Sequence, residues 1–228
     1  MRNGWITAAV CLLCVTMASA ATITQTDSYS GTPNWGQTFT FDEFDDLGGT
    51  LTLLSIQVLV DLDVAGGLLV LDNDGVDPAS GNYEFGAKSD ISSTDVALLD
   101  AAFQPVTAEL DASTLGTFNL DGNVGDGAND FDPTPPDGVQ VNGLAQSDAD
   151  SGFISATLFS QYIGTSTFDI DLDALQWSDF GGVSGIEWAV TPVSADASVT
   201  VIYNYVPEPA SMGLLSLGGL ALLRRRRK

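Results

Sequence analysis

The chain has 228 residues, with 30 acidic side chains against 7 basic ones and no His. The absence of His excludes Ser-His-Asp and Cys-His catalysis and His-ligated zinc. Residues 21–206 contain 29 of the acidic residues and a single basic one, Lys88, so their net charge of −28 repels nucleic acid and anionic lipid.

Residues 1–20 have the layout of a secretory signal peptide. Arg2 supplies the positive start, and residues 5–17 form an apolar run that is shorter than the roughly 17 residues of a membrane span. Ala18 and Ala20 place small side chains at the −3 and −1 positions of a cleavage site. We therefore expect signal peptidase to cut after Ala20, with an uncleaved anchor helix as the alternative.

Both cysteines of the chain, Cys11 and Cys14, lie within this signal peptide. Each follows a large apolar residue, whereas lipid attachment requires a small residue before the Cys, so a lipoprotein signal is disfavoured. After cleavage the exported chain holds no Cys, which excludes disulfides, thiolate metal sites and a Cys nucleophile.

Residues 21–205 are predicted to form one all-β domain. Short segments alternate apolar and polar residues or are rich in β-branched residues, and Gly- and Asp-rich turns separate them. This pattern favours a β-sandwich or a jelly roll. The predicted strands are 21–26, 37–41, 50–64, 68–71, 116–120, 152–156, 165–171, 185–190 and 197–205.

Local features refine this prediction. Gly66 and Gly67 mark a turn, and residues 185–190 and 197–205 are predicted to pair as a hairpin. Two short helices are expected near 93–102 and 156–162. No repeat of fixed period is present, so a solenoid is disfavoured.

The first and last parts of this segment resemble the choice-of-anchor E domain, an exported bacterial domain found with varied C-terminal anchors. The matching residues are 21–26, Asn34-Trp35, 41–52, Phe159, 164–168 and the closing strand 197–205. The resemblance is specific over residues 21–60 and 155–206 and vague between Val64 and Asp150. It implies an exported domain over 21–205 and brings no catalytic motif.

Two acidic loops are candidate Ca²⁺ sites, because hard cations need clustered oxygens on a loop that can curl. The first holds Asp72, Asp74 and Asp77 around Gly75. The second holds Asp121, Asn123, Asp126, Asp130 and Asp132. Neither fits the EF-hand pattern, and solvated turns are the alternative since Asp and Gly are ordinary turn residues. No other cofactor is predicted.

Carboxylates and tryptophans could also act on or bind a glycan. Among 29 acidic residues some carboxylate pair at glycosidase spacing arises by chance, so hydrolase activity is disfavoured and the protein is predicted not to be an enzyme. Trp35, Trp177 and Trp188 could stack on sugar rings, but each lies in or beside an apolar strand, which favours packing in the core.

The C-terminal end combines three elements. Pro207-Glu208-Pro209 is followed by a Gly- and Leu-rich apolar run over 210–223, which as a helix is short for a bilayer. A basic cluster that stays on the cytoplasmic side then closes the chain, namely Arg224, Arg225, Arg226, Arg227 and Lys228.

This layout resembles the PEP-CTERM sorting signal of exported bacterial proteins. The resemblance implies recognition by an exosortase-type membrane enzyme that removes the tail near Pro207-Glu208-Pro209. Proline restricts its own φ and keeps the preceding residue extended, which presents backbone to another protein. A simple tail anchor is the alternative.

Together these features predict a non-enzymatic exported protein of a Gram-negative-type bacterium. The membrane would hold it through the C-terminal helix before processing, and it would then reside in the cell envelope, at the surface or in the extracellular matrix. The alternative is a Ca²⁺- or polysaccharide-binding module of that matrix with an exopolysaccharide partner, and an exported hydrolase is the least favoured class.

Overall fold

The computed structural model describes residues 19–123, 131–181 and 184–208. Within these ranges the chain forms antiparallel strands and one short 3-10 helix, Ala156–Gln161. The strands are β1 (Ala21–Gly31), β2 (Trp35–Asp42), β3 (Leu51–Ala65), β4 (Leu68–Asn73), β5 (Ala79–Ser92), β6 (Leu110–Leu120), β7 (Gly138–Asn142), β8 (Gln146–Phe153), β9 (Thr167–Phe180), β10 (Ile186–Thr191) and β11 (Ser194–Pro207). The predicted all-β class is confirmed.

The strands form three sheets. The upper sheet has the order β1-β11-β3-β8, the lower sheet β2-β9-β5-β6, and a smaller extension sheet β10-β4-β7. All strand pairs are antiparallel. The predicted signal peptide up to residue 18 and the predicted membrane helix at 210–223 lie outside the described residues.

The extension sheet continues the upper sheet past a crease. Each strand of the extension sheet is followed or preceded in the chain by a strand of the upper sheet: β3 leads into β4, β7 into β8 and β10 into β11. The chain therefore passes from one sheet to the other three times. The register is unbroken, because Thr191 pairs with Leu68 on one side of the crease and Ser194 pairs with Ala65 on the other.

Glycines make the crease possible. Gly66 and Gly67 have φ of 78° and 82°, a region that residues with a Cβ rarely adopt. A Cβ on Gly67 would lie 2.8 Å from Cγ1 of Val193. The Gly143 N–H crosses the crease and donates to the Gly67 carbonyl at 3.0 Å.

The predicted hairpin between residues 185–190 and 197–205 is wrong. β10 pairs with β4, whereas β11 pairs with β1 and β3. The chain does not reverse direction at Pro192 but continues across the crease. The alternation of apolar and polar residues is the same for a hairpin and for a continuing strand, so the sequence does not distinguish them.

The helix expected near 93–102 is also absent from the described chain, where these residues form turns and a bridge. The one expected near 156–162 is present as the 3-10 helix.

The core lies between the upper and lower sheets. Inward positions such as Val199, Val201 and Tyr203 on β11 and Ile170 and Leu172 on β9 have no exposed surface. The largest fully buried side chains are Tyr162, Tyr203, Phe41, Phe44, Phe85, Phe168, Ile56, Leu62, Leu69, Leu71, Leu110 and Ile170.

Two of these core residues carry hydroxyls, and both are satisfied. Tyr162 donates to the Ala97 carbonyl at 2.9 Å and Tyr203 to the Asp42 carbonyl at 3.1 Å. Burial raises the pKa of both tyrosines, which stay neutral at any physiological pH.

The domain has two distinct ends. At the terminal end, β1 begins and β11 ends, with Ala21 paired to Tyr205. At the loop end, the connections β4–β5, β6–β7 and β9–β10 meet. The path from Ile186 to Pro207 follows β10 and β11 from one end to the other, about 70 Å of strand at the usual rise per residue.

Candidate functional site

The two predicted acidic loops are neighbours at the loop end. The Asn123 N–H donates to the Gly75 carbonyl at 2.8 Å, and the Asp132 N–H donates to Oδ2 of Asp72 at 2.8 Å. A Cβ on Gly122 would lie 2.4 Å from the Val76 carbonyl oxygen. The loops therefore pack directly on each other instead of forming two separate sites.

Asn73 holds this junction together. It is 1% exposed, and its Nδ2 donates to the carbonyls of Asp77 at 3.0 Å and Asp121 at 2.7 Å. Its Oδ1 accepts the Gly75 N–H at 3.0 Å. Sequence reasoning missed Asn73, although an Asn between two aspartates before Gly is a typical turn former.

The three predicted calcium ligands have different surroundings. Asp72 is buried, Asp74 is partly buried and Asp77 is exposed. Oδ1 of Asp74 is shielded from solvent and has no hydrogen-bond partner in the described part of the chain.

These carboxylates do not form a ligand cluster on their own. Across residues 19–123, 131–181 and 184–208, no group of three acidic side chains is placed to hold a metal ion. Asp126 and Asp130 of the second loop lie outside these residues. Calcium binding stays a prediction.

The expectation that the tryptophans pack in the core is wrong for two of them. Trp188 is 52% exposed and Trp177 is 38% exposed. Trp35 is partly buried, packs against the core and meets Tyr29 edge-on with ring centroids 4.9 Å apart. Alternation predicts that a residue lies on a strand, but it does not reveal whether the strand end is covered.

Trp177 lies on the outer face of the lower sheet beside Lys88. The Lys88 Nζ sits 4.2 Å from the centroid of the Trp177 ring and 3.4 Å and 3.3 Å from carboxylate oxygens of Glu109 and Asp111. Burial opposes the charge on Lys88, but the hydrogen bonds and charges of Asp111 and Glu109 outweigh it and raise the Lys88 pKa.

Glu84 belongs to the same outer face. Burial and the neighbouring Asp111 carboxylate raise the Glu84 pKa.

Trp188 lies at the loop end on β10. Its ring packs against Phe180 in a tilted arrangement, with centroids 4.4 Å apart and an angle of 36° between the planes. Beside it is a shallow depression of about 340 Å³, lined by Phe131, Ile186, Glu187, Trp188 and Ala189. Two aromatic side chains, Phe131 and Trp188, line it, and the sequence did not predict that they meet.

The residues of both processing signals meet at the terminal end. Ala20 is exposed just before β1. Pro207 ends β11, and the Glu208 N–H donates to the Thr50 carbonyl at 2.8 Å. Ala18, Pro209 and the arginines at 224–227 lie outside the described residues.

The described residues contain no helix that is both long and apolar enough to cross a membrane. The predicted spanning segment at 210–223 is not among them.

Comparison with known proteins identifies the C-terminal element. Residues 206–228 match the family model of the PEP-CTERM protein-sorting motif. This confirms the predicted sorting signal, which implies export, sorting to the envelope and recognition by exosortase-type processing. No curated protein matches the chain.

Solved structures give weak likenesses. The structure of the infectious bursal disease virus Gx strain is 12% identical, with 99% of this chain and 54% of that chain covered and a TM-score of 0.21. The VP2 subviral particle of the same virus is 12% identical, with 92% and 49% covered and a TM-score of 0.19. The chain spans about half the length of these viral proteins, and at such TM-scores the likeness carries no argument.

Proposed function

We propose that this protein is a non-enzymatic β-domain that is exported, held briefly by its C-terminal tail, and delivered to the cell surface or the extracellular matrix after the tail is removed. The observation that carries the proposal is the PEP-CTERM motif at residues 206–228. The assignment of residues 21–205 as a choice-of-anchor E domain remains part of the same proposal.

The placement of the two termini supports this route. Because Ala21 pairs with Tyr205, the signal-peptide cleavage site and Pro207-Glu208 lie side by side. A chain tethered there can stand with its loop end directed away from the membrane. Its net charge of −28 over residues 21–206 also disfavours contact with anionic lipid.

Intact mass of the protein recovered from its native host tests the proposal. We expect a species that lacks residues 1–20 and the basic tail. Substituting both Pro207→Ala and Pro209→Ala should leave the tail attached, because the extended backbone at the processing site is no longer enforced.

The matched control is Pro78→Ala, which changes an exposed proline of the loop end and should be processed normally. If the unaltered chain at the cell surface retains Arg224 through Lys228, the tail is not removed and acts as a simple tail anchor.

A binding role outside the cell is the second candidate. The exposure of Trp188 favours it, since a large aromatic side chain on the surface of an exported domain is suited to contact a ligand.

A further inference from the structure

The depression at the loop end has a preset aromatic wall. Packing against Phe180 fixes the orientation of the Trp188 ring, yet half of the Trp188 surface stays exposed. Phe131, which is 40% exposed, contributes a second aromatic side chain to the lining. A rigid aromatic surface of this kind gives a large contact area at a low cost in conformational entropy.

The polar part of the lining is acidic. Glu187 is exposed within the depression, and it pairs across the sheet with the buried Asp72 of β4. The only base of residues 21–206, Lys88, is engaged by Glu109 and Asp111 on the outer face of the lower sheet. An anionic ligand is therefore repelled, and the groups offered to a ligand are hydrogen-bond acceptors.

A neutral sugar ring meets these requirements. Its C–H face is apolar enough to lie on an aromatic ring, and its hydroxyls donate hydrogen bonds to a carboxylate. A cationic peptide would complement the charge of Glu187 but not the apolar lining, because four of the five lining residues within the described part of the chain are uncharged and apolar.

We propose that the depression formed by Phe131, Glu187 and Trp188 binds a neutral glycan at the edge of β10. Because consecutive strand residues point to opposite faces, one sugar ring lies against Trp188 and the hydroxyls of a neighbouring ring reach the Glu187 carboxylate around that edge. This deepens the proposed role at the cell surface and rests on the export of the domain. The site lies at the loop end, so a chain tethered by residues 206–228 presents it away from the membrane.

Binding of defined oligosaccharides to the purified full-length chain tests the site. The probes are the neutral hexamers cellohexaose, laminarihexaose and hexa-N-acetylchitohexaose, with anionic hexagalacturonate and cationic hexalysine for comparison. We expect calorimetry to show binding of at least one neutral hexamer at concentrations up to about 1 mM, the weak end of the affinity scale. Hexagalacturonate should not bind, and added salt should leave the affinity for the neutral hexamer unchanged.

Substitutions locate the binding. Trp188→Ala should weaken it by about tenfold or more, which corresponds to roughly 1.4 kcal/mol. Trp188→Phe should retain much of the affinity, since a ring remains, and Glu187→Gln should weaken binding without altering the fold. The matched control is Trp177→Ala, which removes the other exposed tryptophan and should change the affinity less than twofold.

Three outcomes overturn the proposal: no neutral hexamer binds, Trp177→Ala and Trp188→Ala weaken binding equally, or hexalysine alone binds in a salt-sensitive manner. The last outcome identifies a cationic peptide as the ligand. Tail removal in the Trp188→Ala chain is measured in parallel, so a failure of glycan binding is distinguished from a failure of sorting.

Discussion

The terminal end and the loop end of this domain are held together by different forces. At the terminal end, β1 and β3 flank β11 and backbone pairing continues from Ala21↔Tyr205 to Pro207↔Leu51. At the loop end, connecting segments without regular pairing are joined by scattered backbone hydrogen bonds and by the buried side chains of Asn73 and Asp72.

This difference suits the roles proposed for the two ends. An end that carries a tether must resist local opening, and a ladder of backbone hydrogen bonds provides that resistance. An end that presents a ligand site is built from loops positioned by a rigid scaffold. The crease at Gly66 and Gly67 separates the two parts within one continuous sheet.

Removing the Asn73 side chain should have the largest effect. Asn73→Ala removes a buried side chain and leaves the carbonyls of Asp77 and Asp121 and the Gly75 N–H without their partner, so we expect a loss of about 3 kcal/mol in the free energy of unfolding. For a domain of this size that lowers Tm by about 10 °C. Urea unfolding and calorimetry of the full-length chain measure both quantities.

The terminal end offers a matched asparagine. The Asn204 Nδ2 donates to Oγ of Ser55 at 3.0 Å, and backbone pairing surrounds it. Asn204→Ala should cost only about 1 kcal/mol. Equal losses of stability in the two variants would mean that side-chain hydrogen bonds matter equally at the two ends of the domain.

The calcium prediction also concerns the loop end alone. If the Asp72, Asp74 and Asp77 loop binds Ca²⁺ in the folded state only, a hundredfold excess over Kd stabilises the fold by about 2.7 kcal/mol. Tm then rises by about 5–10 °C. Mg²⁺ at the same concentration should do less, because it requires a smaller, octahedral site.

Asp74→Asn is the test variant, because Oδ1 of Asp74 is buried without a hydrogen-bond partner in the described part of the chain. It should abolish the difference between the two ions. Asp46→Asn, at an exposed turn of the terminal end, is the control and should leave the difference intact. Equal shifts from both ions in the unaltered chain mean that the loop is a solvated turn.

The sequence predicts strands well where one face is strongly apolar. β3 and β11 carry β-branched and aromatic residues at alternate positions, and those positions are buried as expected. β5 was missed, because its outer positions hold Asn82, Glu84 and Lys88 and its inner ones include small residues. Tertiary pairing with β6 and β9 makes it a central strand despite this weak pattern.

The candidate sites were harder to predict than the strands. The acidic loops were recognised as two sites, but no local pattern reports that Asn73 reaches across to Asp121. The depression at Trp188 combines Phe131 from one connection with β10 from another. Such contacts are set by the packing of the loop end, which alternation and turn signals do not encode.

The crease between the ends provides the next prediction. Gly67→Ala combines a positive φ with a contact of 2.8 Å to Val193 Cγ1, so we expect a loss of about 2 kcal/mol in stability. Gly66→Ala has a similar φ but nothing within 4 Å of the added Cβ, so it should cost only about 1 kcal/mol. A Gly66→Ala chain that is the less stable of the two would show that the crowding at Val193 does not matter.

The smallest expected effect tests the acidic outer face near the loop end. Burial and Asp111 raise the pKa of Glu84 above its value in the unfolded chain, near 4.5, so the folded state binds the Glu84 proton more tightly. Stability should therefore increase as pH falls through that raised pKa and level off near pH 4.5. Glu84→Gln should add a few tenths of a kcal/mol at pH 7 and flatten this slope, because a neutral amide is not repelled by the Asp111 carboxylate and loses less on burial. Tm measured from pH 8 to about 4 in low salt detects the change, and Asp111→Asn should flatten the slope only in part, because burial, the larger cause of the raised Glu84 pKa, remains. An unaltered slope in Glu84→Gln would mean that other carboxylates set the response of the domain to acid.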